Sequence, residues 1–67
     1  MEKDWVSIYS TNKLYQAEMV KQMLEDNNIF SVIMNQKDSS YLIGSIELYV
    51  EQKHEEKAKE LIKQFEN

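Results

Sequence analysis

Four residues carry the side-chain types that hydrolases use: Asp38, Ser39, Ser40 and His54. A nucleophilic triad needs a serine, a histidine base and an orienting carboxylate, held together by the fold. The first three are consecutive in one segment, and His54 follows a different, strand-like segment. Neither serine lies in a nucleophile-elbow pattern. The spacing gives no support for a triad, and we expect no catalytic residue in this chain.

The chain also lacks the residues that zinc sites and phosphate-binding loops need. The chain has no cysteine and one histidine, His54, so the usual thiolate and imidazole ligands of zinc are missing. Its one glycine, Gly44, cannot form a phosphate-binding glycine loop. We therefore expect no metal, no cofactor and no enzymatic activity. The alternative is a catalytic role for Glu47 or His54, which would need a second, oriented group beside it.

Length and charge restrict the kinds of partner. With 67 residues and no disulfide, the chain is expected to form a single domain over residues 1–67 that self-association could stabilise. Its net charge is −4, and all of its basic residues are lysine, which disfavours nucleic acid as a partner. No apolar run approaches the ~18 residues of a membrane span, and the N-terminus lacks a signal-peptide pattern. We expect a cytoplasmic homo-oligomer that binds neither membranes nor nucleic acid.

Hydropathy periodicity predicts five elements along the chain. They are a strand at 5–10, a helix at 13–27, strands at 29–34 and 45–50, and a helix at 55–66. Asn12 is the expected N-cap of the first helix, because its side chain can accept backbone hydrogen bonds. Asn27 and Asn28 are expected to end that helix, with Ile29 supplying the apolar contact that often follows. In the strand at 29–34, the pattern leaves open which face is buried.

The order β-α-β-β-α predicts an α+β fold of two layers. Crossover rules place both helices on one face of a three-stranded sheet, in a ferredoxin-like arrangement. The third strand would then lie between the other two. The first strand would be an unpaired edge, and the second face of the sheet would be uncovered.

The uncovered face is the first candidate interaction surface. If Val6 and Ile8 point to the helices, the alternation places Trp5, Tyr9 and Tyr49 on the opposite side, with Ile33 as a further member. Such a patch is larger than monomers usually expose. Trp5, Tyr9, Tyr49 and Ile33 are therefore the predicted interface residues, together with the open edge of the first strand. The alternatives are that loops or tails cover this face, or that tyrosine is there because it favours strands.

The segment at 35–44, "NQKDSSYLIG", is the second candidate. Connections of this length are often functional. A small effector or a neighbouring subunit could contact its polar and aromatic side chains. The predicted contact residues are Lys37, Asp38, Ser39, Ser40, Tyr41 and Gly44. The alternative is a hairpin tip without a ligand, anchored to the core by Leu42 or Ile43.

The sequence also resembles a known family over nearly its whole length. The resemblance rests on "AEMVK" at 17–21, "LE" at 24–25, Ile29, and the pattern at 44–50, "GSIELYV", followed by Ala58 in the last helix. These residues are similar to the small family named "putative prokaryotic signal-transducing protein". That family usually has glycine where this chain has Asn28, and both residues suit a left-handed helix end.

The resemblance implies a ferredoxin-like fold similar to that of the PII regulators. Proteins of that superfamily commonly form oligomers and bind small effectors near an extended loop, whose position corresponds to 35–44 in this chain. The basic and glycine residues with which PII proteins bind nucleotides have no match in this chain. The expected function is a non-enzymatic regulatory module, signal-transducing by family, that self-associates and binds a protein or an effector. The alternative is a sensor whose 35–44 loop closes over an anionic metabolite, with Lys37 as the charge contact.

Overall fold

The computed structural model describes residues 4–36 and 45–66. It contains three strands, two α-helices and one short 3₁₀ turn, in the predicted order β-α-β-β-α. The elements are β1 (Trp5–Thr11), α1 (Leu14–Asp26), β2 (Ser31–Gln36), β3 (Ser45–Glu51), the 3₁₀ turn (Gln52–His54) and α2 (Glu55–Glu66). The α+β class is confirmed, and the arrangement is compatible with a ferredoxin-like fold.

The sheet has the strand order β1-β3-β2, and β3 is antiparallel to both neighbours. β1 and β2 therefore run parallel to each other on either side of β3, and α1 is the crossover that connects them. This confirms the prediction that the third strand is central. Both β1 and β2 are edges of the described sheet.

The hydrophobic core lies between the sheet and the two helices. Alternate residues of β3 face the helices and are buried, because a strand presents every second side chain to one side. The buried core consists of Ala17, Val20, Leu24, Ile29, Ile46, Leu48, Val50, Ala58 and Ile62. Since residues of both helices belong to this one cluster, α1 and α2 cover the same face of the sheet. Neither described helix is long and apolar enough to cross a membrane.

The end of α1 has the geometry of a Schellman motif. Asn28 adopts a left-handed conformation with φ of 65° and donates its N–H to the carbonyl of Glu25 at 3.0 Å. Ile29 donates to the carbonyl of Leu24 at 2.9 Å, and both side chains are buried. The predicted helix end is confirmed. Because Ile29 completes this motif, β2 begins at Ser31, two residues later than expected.

The start of α1 differs from the prediction, because the N-cap is Lys13 and not Asn12. Thr11 supplies the local polar contacts in its place. Its hydroxyl accepts a hydrogen bond from the Lys13 N–H at 3.1 Å and donates one to Gln16 Oε1 at 2.8 Å. The side chain of the strand's last residue therefore fixes the first turn of the helix.

A bulge in β1 reverses the predicted direction of Tyr9. Ser7 pairs with Tyr49, but Tyr9 pairs with Leu48, so Ile8 is an extra residue without a partner in the register. Paired residues of neighbouring strands share a face, and Leu48 is buried beneath the helices. The expectation that Tyr9 lies on the uncovered face is wrong. Ile8 and Tyr9 both pack against the core.

Ile33 also lies on the helix side of the sheet, so the expectation that it lies on the uncovered face is wrong as well. It pairs with buried Leu48 and packs against the core. Ser31, two residues earlier, pairs with Val50 and is almost fully buried. The reason is the end of α1, since burial of Ile29 directs the odd-numbered residues of β2 inward. The question that the sequence left open is thereby settled, and Phe30, Val32 and Met34 lie on the other side.

Candidate functional site: the uncovered sheet face

The sheet surface opposite the helices, here called the open face, is built from rows of three residues, one from each strand. The strand registers define the rows, because paired residues lie side by side on one face. One row is Ser7, Tyr49 and Val32, and the next is Ser10, Glu47 and Met34. No described helix packs on this face.

The apolar part of the open face begins beside Glu51, the last residue of β3. Trp5 pairs with Glu51 from the β1 side, and Phe30 comes directly before β2 on the other side. The Trp5 and Phe30 rings meet edge to face, with centroids 6.2 Å apart and planes inclined at 73°. Such pairs stabilise by about 0.5–1.5 kcal/mol beyond their buried area. Aromatic side chains therefore bridge the sheet from one edge to the other.

Val32, Met34 and Tyr49 extend this apolar surface along the sheet. Phe30 is 61% exposed and Met34 is 37% exposed, while Trp5, Val32 and Tyr49 are half-buried. Phe30, Val32 and Met34 form a continuous apolar strip beside the outer edge of β2. The predicted interface residues Trp5 and Tyr49 do lie together on the open face. Tyr9 and Ile33 do not.

The three residues of the strip were missed as interface candidates. The signal was present in the alternation of "IFSVIM", which separates Phe30, Val32 and Met34 from Ile29, Ser31 and Ile33. Choosing between the two sets required knowing that α1 ends in a motif that buries Ile29.

In the described part of the open face, all of the charged side chains are acidic. Glu47 and Glu51 lie on β3, and neither lysine nor arginine is among the described residues of this face. Ser7 Oγ donates a hydrogen bond to Glu47 Oε1 at 2.8 Å, which ties β1 to β3. The open face therefore combines an apolar strip at one edge with acidic groups along its centre.

A concave surface, here called the helix-side cleft, lies on the opposite side of the sheet. It has a volume of about 460 Å³. Its lining residues are Tyr9, Tyr15, Gln16, Met19, Phe65 and Glu66. Glu66 is the one charged group of this lining, so the cleft suits neutral or cationic ligands better than anions. Tyr15, Met19 and Phe65 are each more than two-fifths exposed and would lose water contact if a ligand occupied the cleft.

The predicted loop contacts lie outside the described residues. These are Lys37, Asp38, Ser39, Ser40, Tyr41 and Gly44. Within residues 4–36 and 45–66, acidic and histidine side chains nowhere form a group of three that could hold a metal ion. Glu47 has Ser7 as its observed partner, which is a structural contact between strands.

Comparison with known proteins gives one family assignment. The sequence model of the family described as "Putative prokaryotic signal transducing protein" matches residues 5–66, which is nearly the whole chain. Neither a curated protein nor a solved structure gives a significant match.

Proposed function

The chain belongs to the family of putative prokaryotic signal transducing proteins, and on this premise we propose that it is a non-enzymatic binding module. It acts in the cytoplasm by self-association and by binding a protein or a small effector. The observation that carries the proposal is the open face, where an apolar surface spans the sheet without a covering helix in the described part of the chain.

The physical argument for self-association starts from chain size. A domain of about 60 residues buries only about 60% of the surface that its unfolded chain exposes, so its stability is marginal. In a monomer, Trp5, Phe30 and Tyr49 stay partly exposed. The monomer therefore does not gain the stabilisation that full burial of these side chains would give to a small domain. Soluble monomers rarely expose large contiguous apolar patches, and such patches commonly mark contact surfaces. A second copy is always available at the protein's own concentration.

Sedimentation equilibrium of two matched variants tests this proposal. Val32→Lys places a charge on the open face and is expected to shift the protein toward monomer. Met19→Lys places the same charge on the helix side, where Met19 is 52% exposed, and should retain the wild-type mass. Equal masses for wild type and Val32→Lys, with both proteins folded by circular dichroism, would contradict the proposal.

The helix-side cleft supports the effector part of the proposal. Its volume of about 460 Å³ falls in the range of about 300–1,000 Å³ typical of small-molecule sites. Three aromatic residues and one methionine line it, and Gln16 and Glu66 supply polar groups. The effector favoured by this lining is neutral or cationic, in contrast to the anionic metabolite that the 35–44 loop would take through Lys37.

Thermal shift against a metabolite panel separates the two sites, because a ligand that binds the folded state raises the melting temperature by mass action. A ligand of the cleft should lose its effect in Tyr15→Ala and keep it in Lys37→Ala. A ligand of the loop should show the reverse. Leu14→Ala is the control, since Leu14 is 49% exposed on α1 but does not line the cleft. A panel without any stabilising compound would contradict effector binding and leave self-association to stand alone.

A further inference from the structure

We propose that two copies associate side by side along the outer edges of β2, so that the two three-stranded sheets form one six-stranded sheet. This inference rests on the proposed self-association and specifies its geometry. The two β2 strands would be antiparallel about a two-fold axis, which is the usual symmetry of a homodimer. Strand addition at an open edge supplies main-chain hydrogen bonds, and neighbouring side chains supply specificity.

The first observation is a difference between the two edges. The register of β2 with β3 advances one residue at a time over all six residues, from Ser31 to Gln36. The register of β1 is interrupted at Ile8. A bulge twists a strand and disrupts its hydrogen-bonding row, and natural proteins use bulges to prevent edge pairing. The regular edge is therefore that of β2, and the first-strand edge favoured by the sequence is the less suitable one.

The second observation is the chemistry of β2. Its sequence, "SVIMNQ", contains no charged residue, although charges on an edge strand are a common protection against pairing. Phe30, Val32 and Met34 lie beside this edge on the open face. When two antiparallel β2 strands pair about a two-fold axis, these strips meet and cover each other's exposed side chains. Phe30 and Met34, the large apolar side chains that a monomer leaves exposed on this face, are thus among those that the pairing covers.

The third observation disfavours the alternative of two open faces stacked on each other. Each copy carries Glu47 and Glu51 on its central strand. Stacking would bring the two Glu47 carboxylates into one interface, and the described part of the face offers them no lysine or arginine. Like charges placed opposite each other across an interface are unfavourable. Side-by-side pairing keeps the two central strands, and therefore these carboxylates, apart.

Disulfide cross-linking tests the geometry, because the natural chain contains no cysteine. Single cysteines are placed at matched positions on the two edges. Val32→Cys and Ser7→Cys both flank Tyr49, and Met34→Cys and Ser10→Cys both flank Glu47. A disulfide forms only where two Cα atoms come within about 7 Å. After mild oxidation of dilute protein, we expect covalent dimer from Val32→Cys or Met34→Cys and little from either β1 variant.

The outcomes separate this inference from the proposed function. Equal or stronger cross-linking from the β1 variants would overturn the β2 geometry. So would a wild-type dimer in solution from which no β2 variant cross-links, either alone or when Val32→Cys and Met34→Cys are mixed. In both cases self-association would stand. A wild-type protein that remains monomeric at all concentrations would overturn the inference and the proposed self-association together.

Discussion

Trp5 and Phe30 contact each other edge to face although 24 residues separate them in the chain, with ring centroids 6.2 Å apart. The contact joins the start of β1 to the start of β2 across the central strand. It exists because the left-handed turn at Asn28 directs Ile29 into the core and therefore Phe30 onto the open face. A helix end thus determines the composition of a sheet surface.

Phe30→Ala should expose the protein's one tryptophan to water. We expect a red shift in the fluorescence of Trp5 and a loss of about 0.5–1.5 kcal/mol in unfolding free energy from the aromatic contact. Phe65→Ala removes the same side chain from α2 and should leave the emission maximum unchanged. An unshifted spectrum in Phe30→Ala would show that the two rings do not pack in solution.

Ser31→Ala should increase stability. The Ser31 hydroxyl is buried and has no hydrogen-bond partner in the described structure. Burying such a group unpaired costs about 1–3 kcal/mol, so we expect the unfolding free energy in urea to rise by about 1 kcal/mol. Ser7→Ala is the control on the other edge strand, where the serine is exposed and bonded to Glu47. A stability loss in Ser31→Ala would mean that the hydroxyl has a partner.

The stability of Asn28 variants should depend on how well each residue tolerates the positive φ of 65° at this position. Asn28→Gly removes that cost and should be neutral or slightly stabilising, since glycine adopts this region freely. Asn28→Ala should destabilise by about 1 kcal/mol, because a β-carbon is unfavourable in the left-handed region. Urea denaturation of both variants measures the difference. Equal stability of the two would contradict the left-handed helix end.

Leu48→Ala should destabilise the protein strongly. Leu48 is fully buried on the central strand, and a buried leucine truncated to alanine costs about 2–5 kcal/mol. The total stability of a 67-residue domain is only about 3–10 kcal/mol. Leu14→Ala, at a leucine that is 49% exposed, should change stability by less than about 0.5 kcal/mol. Circular dichroism melting curves compare the two, and similar melting temperatures would contradict the assigned core.

The elements and their order could be predicted because each depends on local periodicity. Ala58 and Ile62 repeat at the helical interval, and the bounds of α2 agree with the prediction. The strand order followed from crossover rules. The face of Tyr9 could not be predicted, because a bulge at Ile8 depends on how β1 aligns with β3 and not on the sequence of β1 alone.

The candidate surfaces were predicted only in part, for the same reason. Trp5 and Tyr49 could be placed by alternation from regular strand segments. The strip on β2 depended on the end of α1, where the left-handed Asn28 lies two residues before Phe30. The helix-side cleft brings Tyr15 together with Phe65, 50 residues later, and no local pattern indicates such a contact.

The mass of the wild-type protein in solution tests the central claim most directly. It is measured by light scattering after size-exclusion chromatography, over a wide range of concentrations. Self-association through the open face predicts a mass that rises with concentration toward at least twice the 8.0 kDa of the chain. A mass that stays at 8.0 kDa over the whole range would contradict the claim.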